Sequence, residues 1–181
     1  MKNKFLFSVF VYFFILIFLS LGVWQIVRLN WKLNLISEIE ENINSKPVFF
    51  SGNNPHNFKK IQFEANFENS KLIYLYSLNE KGEPGFDIVN TISIENSYYL
   101  LNRGWIPRDL KNKSFGISST NFQGILKKKS NKNYFKPKND IQNNYWFTLN
   151  DNDLFEYTGR KFSNFIIYET NNRLNFPNPK K

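Results

Sequence analysis

The residue types that usually carry catalysis are sparse in this chain of 181 residues. It contains no cysteine and one histidine, His56, which lies among Asn and Pro residues typical of a surface loop. A lone loop histidine is usually solvated, so we expect it to be neither a metal ligand nor a general base. Phosphate-binding loops, nucleophile elbows and His-x-x-x-His pairs are also missing from the sequence. We therefore predict that the protein is not an enzyme and holds no metal.

One constellation of aromatic and polar residues follows an apolar run near the amino terminus. Trp24 and Arg28 are spaced i to i+4, so on a helix they would lie on one side. Interfacial anchoring explains them, with the Trp in the aromatic belt and the Arg reaching lipid phosphates. Gly22 and Gln25 suggest a second interpretation, because Gly lets another helix approach and Gln seeks a hydrogen-bond partner at that depth. Both interpretations stay open.

A second constellation is the run Asn-Arg-Gly-Trp-Ile-Pro that begins at Asn102. Gly104 would relieve steric limits at a strand end, and Pro107 would bar further pairing. Arg103 can stack on Trp105 or pair with a carboxylate. We predict a structural strand end with a buried Trp. In the alternative, an exposed Arg and Trp pair would suit a protein interface.

The first constellation needs a helix to position it, and the sequence predicts one that spans a membrane. Residues 5–23 are mostly Leu, Ile, Val and Phe without a charge, and as a helix they would cover roughly 28 Å. A cleaved signal is the alternative, because Lys2 and Lys4 precede the run. The run exceeds a signal core of about 7 to 15 residues, and no Ala-x-Ala site follows. We expect a cytoplasmic tail at 1–4, a span at 5–23 and a juxtamembrane helix at 24–45.

The second constellation needs a sheet, which the remaining residues, 46–181, predict. Their many aromatic residues suit a pleated, half-buried surface. We expect strands at 60–67, 72–76, 86–94, 97–101, 121–127, 145–149 and 162–168, and a short helix at 151–157 capped by Asp151. Residues 98–101 are apolar on both faces, which places their strand centrally. The predicted class is α+β: a mostly antiparallel sheet or open barrel, extracytoplasmic, on a membrane helix.

The formal net charge of +9 raises the question of a nucleic acid partner, which we do not expect. The densest basic cluster lies among Asn, Ser and Pro residues, where a solvated loop is the simplest explanation. If that loop lies beside a membrane, it would instead hold anionic lipid head groups. The cluster consists of Lys127, Lys128, Lys129, Lys132, Lys136 and Lys138.

Together these segments resemble the surfeit locus protein 1 family, the membrane-bound assembly factors of haem-copper cytochrome c oxidase. The resemblance covers nearly the whole chain and is weakest at 42–70, where a Gly usual in the early strand is replaced within 65–67. The matching residues are 21–28 with Trp31 and Lys32, then 85–89, 100–107, 123–127, 135–140 and 144–147. The most distinctive of these segments are 21–28 with Trp31 and Lys32, and 100–107.

The resemblance implies a factor without catalytic activity that assists maturation of oxidase subunit I, around delivery or insertion of haem a. It implies subunit I and haem a synthase as partners besides membrane lipid, and haem a as a transient ligand rather than a resident cofactor. The alternative function is a membrane-tethered module that binds lipid or a small ligand. Candidate residues for partner or haem contacts are Gly22, Trp24, Gln25, Arg28, Asn102, Arg103, Gly104 and Trp105.

The resemblance also implies a second membrane helix, preceded by an Asn-x-x-His-like signature that supplies a histidine associated with haem. The chain stops at Lys181, where that signature should begin, so we expect it to be a fragment. His56 does not match the missing histidine. The chain lacks an Arg-rich, acid-poor leader typical of an imported mitochondrial protein. We expect a bacterial inner membrane, with most of the chain in the periplasm.

Overall fold

The computed structural model describes residues 2–67, 70–113, 121–129 and 135–170. The chain divides into two compact units, residues 1–42 and 43–181. The helices are α1 (Lys2–Asn44) and α2 (Asp151–Thr158), with a short 3-10 helix at Arg108–Leu110. The strands are β1 (Val48–Phe49), β2 (Lys60–Glu64), β3 (Leu72–Leu78), β4 (Pro84–Ile94), β5 (Ser97–Pro107), β6 (Asn121–Lys128) and β7 (Phe165–Glu169).

The first unit is formed by α1, in which the predicted span and the juxtamembrane segment are one continuous helix. Its apolar side chains are exposed, and by length and composition the helix could cross a membrane. Phe10, Phe14 and Phe18 follow one another at intervals of four residues, with ring centroids 4.6 and 6.4 Å apart. Such a surface is stable in lipid and costly in water. This composition makes α1 a candidate membrane span and is consistent with membrane anchoring.

The second unit is built on an open sheet of seven strands in the order β1-β2-β6-β7-β5-β4-β3. The pairs β2–β6, β6–β7, β3–β4 and β4–β5 are antiparallel, whereas β1–β2 and β5–β7 are parallel. The predicted α+β class and the mostly antiparallel sheet are confirmed. The central position expected for residues 98–101 is confirmed too, because β5 lies between β7 and β4.

The two faces of this sheet carry different cores, as the alternation of side chains along a strand requires. The face that we call the α2 face packs Ile73, Val89, Leu100 and Ile166 against Trp146 and Leu154, the latter from α2. The opposite face packs Phe63, Ile92, Leu101 and Ile167 together. Since β5 contributes to both cores, all its residues from Tyr99 to Ile106 are buried.

The strand predicted at 145–149 is wrong, and side-chain hydrogen bonds explain why. Trp146 touches the outer edge of β3 in a single parallel bridge, with its N–H 3.0 Å from the Tyr74 carbonyl. The next two amides, of Phe147 and Thr148, donate to the Asn139 side-chain oxygen at 2.7 and 3.0 Å. Because those amides are already bonded, the chain cannot extend the ladder.

Several element boundaries also differ from the sequence predictions. The predicted helix at 151–157 is present, but Asn150 rather than Asp151 caps it, accepting from the Asp153 N–H at 2.9 Å. Asp151 is the first helical residue, one position too late for an N-cap. Lys128, expected in a loop with the other clustered lysines, ends β6 instead. The two-residue strand β1 is not among the strands that the sequence predicts.

Candidate functional site

The run that begins at Asn102 lies inside β5 and contains a β-bulge. In the pairing of β4 with β5, Val89 faces Asn102 and Ile88 faces Gly104, so Arg103 is the extra residue. Gly104 has a φ of 125°, which L side chains rarely adopt. The expected strand end at Pro107 and the buried Trp are confirmed, but the strand is longer than the predicted 97–101, and the Gly permits a bulge inside it.

The bulge decides which side chains share a face of the sheet. In a regular strand Asn102 and Trp105, an odd number of residues apart, would point to opposite faces. The extra residue brings both to the α2 face, where Trp105 is the register partner of Asp87 and Asn102 donates to the same Asp87 carboxylate at 3.3 Å. A shared polar cluster results.

We call this set, Ser77, Asp87, Asn102, Trp105 and Tyr168, the strand-5 polar cluster. The Ser77 hydroxyl donates to Asp87 at 2.8 Å, and its carbonyl accepts from the Trp105 indole N–H at 3.3 Å. The Asn102 side-chain oxygen accepts from the backbone N–H at position 104 at 3.0 Å. These bonds satisfy polar groups in a buried setting, where leaving them unmade would cost stability.

Tyr168 closes the cluster from the neighbouring strand β7, opposite Asn102 in the register. Burial raises the pKa of the Tyr168 hydroxyl above its ordinary range, and the charge of Asp87 raises this pKa further. A hydrogen bond with the Asn102 side chain lowers the same pKa but does not offset burial. The phenol is therefore a neutral donor at physiological pH.

Arg103 points to the opposite face, where it meets Glu169. Its Nε lies 3.8 Å from the Glu169 Oε2, and the two side chains are 4% and 2% exposed. Of the two sequence predictions for Arg103, pairing with a carboxylate is confirmed. Trp105 is 5% exposed and packs on the α2 face, so the alternative of an exposed Arg and Trp pair is wrong.

Gly85 supports Trp105 by providing the space for its ring. A Cβ at Gly85 would lie 2.4 Å from two atoms of the Trp105 indole and 2.2 Å from the Ile106 carbonyl oxygen. Only the hydrogen atom of a glycine therefore fits between the Gly85 backbone, the Trp105 ring and the Ile106 carbonyl. This contact explains why residues 85–89 and 102–107, separate in the sequence, form one site.

The juxtamembrane candidates lie on α1 and belong to the first unit. The Arg28 guanidinium carbon is 5.2 Å from the centroid of the Trp24 ring, within cation–π range. Gly22 has nothing within 4 Å of where a Cβ would be. Gln25 is exposed next to Trp24. These residues are thus placed on a free helix surface, as both sequence interpretations require.

Sequence reasoning missed Ser77, Asp87, Tyr168 and Glu169 as members of the site. Glu169 carried a usable signal, because it follows Ile167 at a strand spacing of two and so occupies an inward position. Ser77, Asp87 and Tyr168 carried no such sequence signal, since their grouping depends on strand order and on the bulge.

Comparison with known proteins identifies the family of this chain. The profile of the SURF1 family matches residues 12–179, which include every strand of the sheet and both constellations. The chain belongs to the SURF1 family. The resemblance seen in the sequence is thereby confirmed.

Individual relatives of this SURF1-family chain are bacterial and animal proteins. A SURF1-like protein of Rickettsia conorii (strain ATCC VR-613 / Malish 7) is 30% identical over 176 residues, covering 92% of this chain and 71% of that protein. A SURF1-like protein of Rickettsia bellii (strain RML369-C) is 29% identical over 180 residues, covering 93% and 71%. Surfeit locus protein 1 of Mus musculus is 24% identical over 166 residues, covering 77% and 54%.

The SURF1-family domain also carries a basic groove beside the strand-5 polar cluster. We call it the lysine groove; its volume is about 470 Å³, and Tyr168 belongs to both features. Leu75, Phe147 and Ile166 are among its apolar lining residues. Its basic side chains are Lys127, Lys128, Lys129 and Lys136. Lys132, another lysine of the cluster seen in the sequence, lies outside the described residues, and His56 is not among the groove lining.

Metal ligands are not grouped in the part of the chain that the structure describes. Within residues 2–67, 70–113, 121–129 and 135–170, no three His, Cys, Asp or Glu side chains come together as a metal site would require. Among the described residues, Glu169 is a buried carboxylate paired with Arg103, and Asp87 of the strand-5 polar cluster is half-buried.

Proposed function

We propose that this SURF1-family protein is a membrane-anchored assembly factor for haem-copper cytochrome c oxidase, which assists maturation of subunit I at the stage of haem a delivery or insertion. The observation that carries the proposal is the family match across residues 12–179. The candidate membrane helix supports it, because subunit I is itself a membrane protein and its assistant needs access to the bilayer.

A non-enzymatic mode of action fits the chemistry of the strand-5 polar cluster. Asp87 accepts from Ser77 and Asn102, and the Asn102 oxygen accepts from the backbone at Gly104. Each group is thus engaged in holding the bulge and Trp105 in place. We infer that the cluster maintains the shape of the domain and that partner proteins recognise the surface of the domain.

Histidine, cysteine, methionine and tyrosine are protein ligands of haem iron. Among the described residues the one histidine, His56, is exposed in a loop, and the chain has no cysteine. We propose that haem a is a transient ligand and that this part of the chain acts through contacts with protein partners.

The proposed partners are oxidase subunit I, haem a synthase and membrane lipid, and the proposed location is a bacterial inner membrane with the sheet domain in the periplasm. The relatives in Rickettsia support a bacterial setting. Trp24 and Arg28 would lie at the membrane surface, where an aromatic belt and lipid phosphates favour them.

Deleting the gene tests the proposal. We expect the null strain to lose most cytochrome c oxidase activity and the haem a absorbance of its membranes, while haem b stays unchanged. A plasmid copy of the gene should restore both, and subunit I should still be detectable if the missing step concerns haem a. Normal oxidase activity in the null strain would refute the proposal.

A further inference from the structure

The lysine groove concentrates positive charge on a small part of the sheet domain. Lys127 and Lys128 end β6 with exposed side chains, and Lys136 reaches across to donate to the Phe147 carbonyl at 3.2 Å. Lys129 is nearly buried, with 9% of its side chain exposed. Its position at the end of β6 is held by its backbone N–H, which donates to the Asn164 carbonyl at 2.7 Å.

Among the described residues, Asp151 is the one carboxylate of the groove lining. It accepts from Lys129 at 2.5 Å and is itself 66% exposed, so it offsets one charge and leaves an excess of positive charge in the described lining. A concave surface with an excess of one sign of charge favours a ligand of the opposite sign. The groove therefore suits an anion.

The groove lining combines the polar residues Thr148, Asn150 and Asn164 with apolar side chains, which we call the floor and which narrow the kind of anion. Leu75 and Ile166 belong to the core of the α2 face, and Phe147 lies beside them in the lining. The neutral Tyr168 phenol adds a hydrogen-bond donor between the floor and the basic rim. A free inorganic anion would leave this floor in contact with water, whereas an amphiphile would cover it.

We propose that the lysine groove binds an anionic phospholipid, with the phosphate at Lys127 and Lys136 and the beginning of an acyl chain on the apolar floor. Charge complementarity and the amphipathic lining carry the proposal. The chain also has a candidate membrane helix, so such lipid is abundant where the protein resides. The proposal goes beyond the assembly function and does not depend on it.

The test uses the full-length protein in a neutral detergent and three probes: dioctanoyl-phosphatidylglycerol, dioctanoyl-phosphatidylcholine and inorganic phosphate. Affinities are measured by native mass spectrometry and by titration calorimetry. The groove variant is Lys127→Gln with Lys136→Gln. The matched control is Lys46→Gln with Lys81→Gln, which removes the same charge from exposed positions outside the groove.

We expect phosphatidylglycerol to bind the wild type and the control equally, and phosphatidylcholine and phosphate to bind much more weakly. A lysine near an anionic head group contributes roughly fivefold in affinity, so the groove variant should bind phosphatidylglycerol about 30-fold more weakly. Equal binding of the two lipids, or equal loss in the groove and control variants, would overturn the proposal. Phosphate binding as tight as lipid binding would overturn it too, and would identify a site for a soluble anion.

Discussion

The buried Arg103–Glu169 pair makes the replacement Arg103→Met a strong test of the fold. The two charged atoms are 3.8 Å apart, and both side chains are almost fully buried. At an effective dielectric constant of about 20, two unit charges at this distance attract by roughly 4 kcal/mol. Removing one member of a buried pair commonly costs about 3–5 kcal/mol, because the other charge stays buried. We expect a loss of about 4 kcal/mol in the free energy of unfolding.

The double replacement Arg103→Met with Glu169→Leu distinguishes the effect of leaving one charge buried without its partner from the effect of replacing the two side chains. It removes both buried charges and substitutes apolar groups of similar size, which is often neutral or stabilising in other proteins. We therefore expect the double variant to be more stable than the variant with Arg103→Met alone. The coupling energy between the two positions should be about 2 kcal/mol or more.

Urea unfolding of the full-length protein in detergent gives the measurement, followed by tryptophan fluorescence. Trp105 and Trp146 are buried in the sheet domain, so their emission reports its unfolding. Asp151→Asn is the control, since it removes a charge from the Lys129–Asp151 pair at a site that is 66% exposed. That change should cost about 1 kcal/mol or less.

Two results would refute this reasoning. One is a loss below about 1 kcal/mol for Arg103→Met, which would mean that the charge left on Glu169 finds equal compensation elsewhere. The other is a double variant whose loss equals the sum of the two single losses, which would mean that the side chains do not interact.

Two further predictions concern the strand-5 polar cluster and its support. Gly85→Ala should destabilise the sheet domain by about 1–3 kcal/mol or more in the same urea assay, because the new Cβ would collide with backbone and with the Trp105 ring. Gly22→Ala, with nothing within 4 Å, should leave domain unfolding unchanged, and equal effects would contradict the packing described. The raised pKa of Tyr168 implies stability that is present below a pH of about 10 and is lost as the pH rises towards the folded-state pKa. Tyr168→Phe should therefore flatten the alkaline fall in the free energy of unfolding, and an unchanged slope would show that Tyr168 does not titrate abnormally.

Much of the local structure could be predicted because its signals are local. The apolar run at 5–23 predicts a helix that suits a membrane, and α1 has that composition. The strand predictions at 72–76, 86–94 and 121–127 fall within β3, β4 and β6. Residues 98–101 could be placed centrally because strand residues that are apolar on both faces have to be covered on both faces.

The strand predicted at 145–149 failed for a reason that lies outside its own residues. Its composition suits a strand, but the Asn139 side chain takes the amides that a ladder would need. A competing hydrogen-bond acceptor eight residues away leaves no mark on the alternation of apolar and polar positions. Residue-by-residue patterns therefore overestimate strand length where side-chain amides fold back on the backbone.

The sequence by itself determined a candidate membrane helix, the α+β class and membership of the SURF1 family, because these depend on hydropathy, on strand periodicity and on motifs read in order. It also marked Asn102, Arg103, Gly104 and Trp105 as unusual. Only the tertiary structure decided what they do. The bulge at Arg103 exists in the pairing of β4 with β5, and the partner Glu169 comes from a strand distant in the chain. Register and strand order are properties of the whole sheet, since a shift by one residue reverses every side chain.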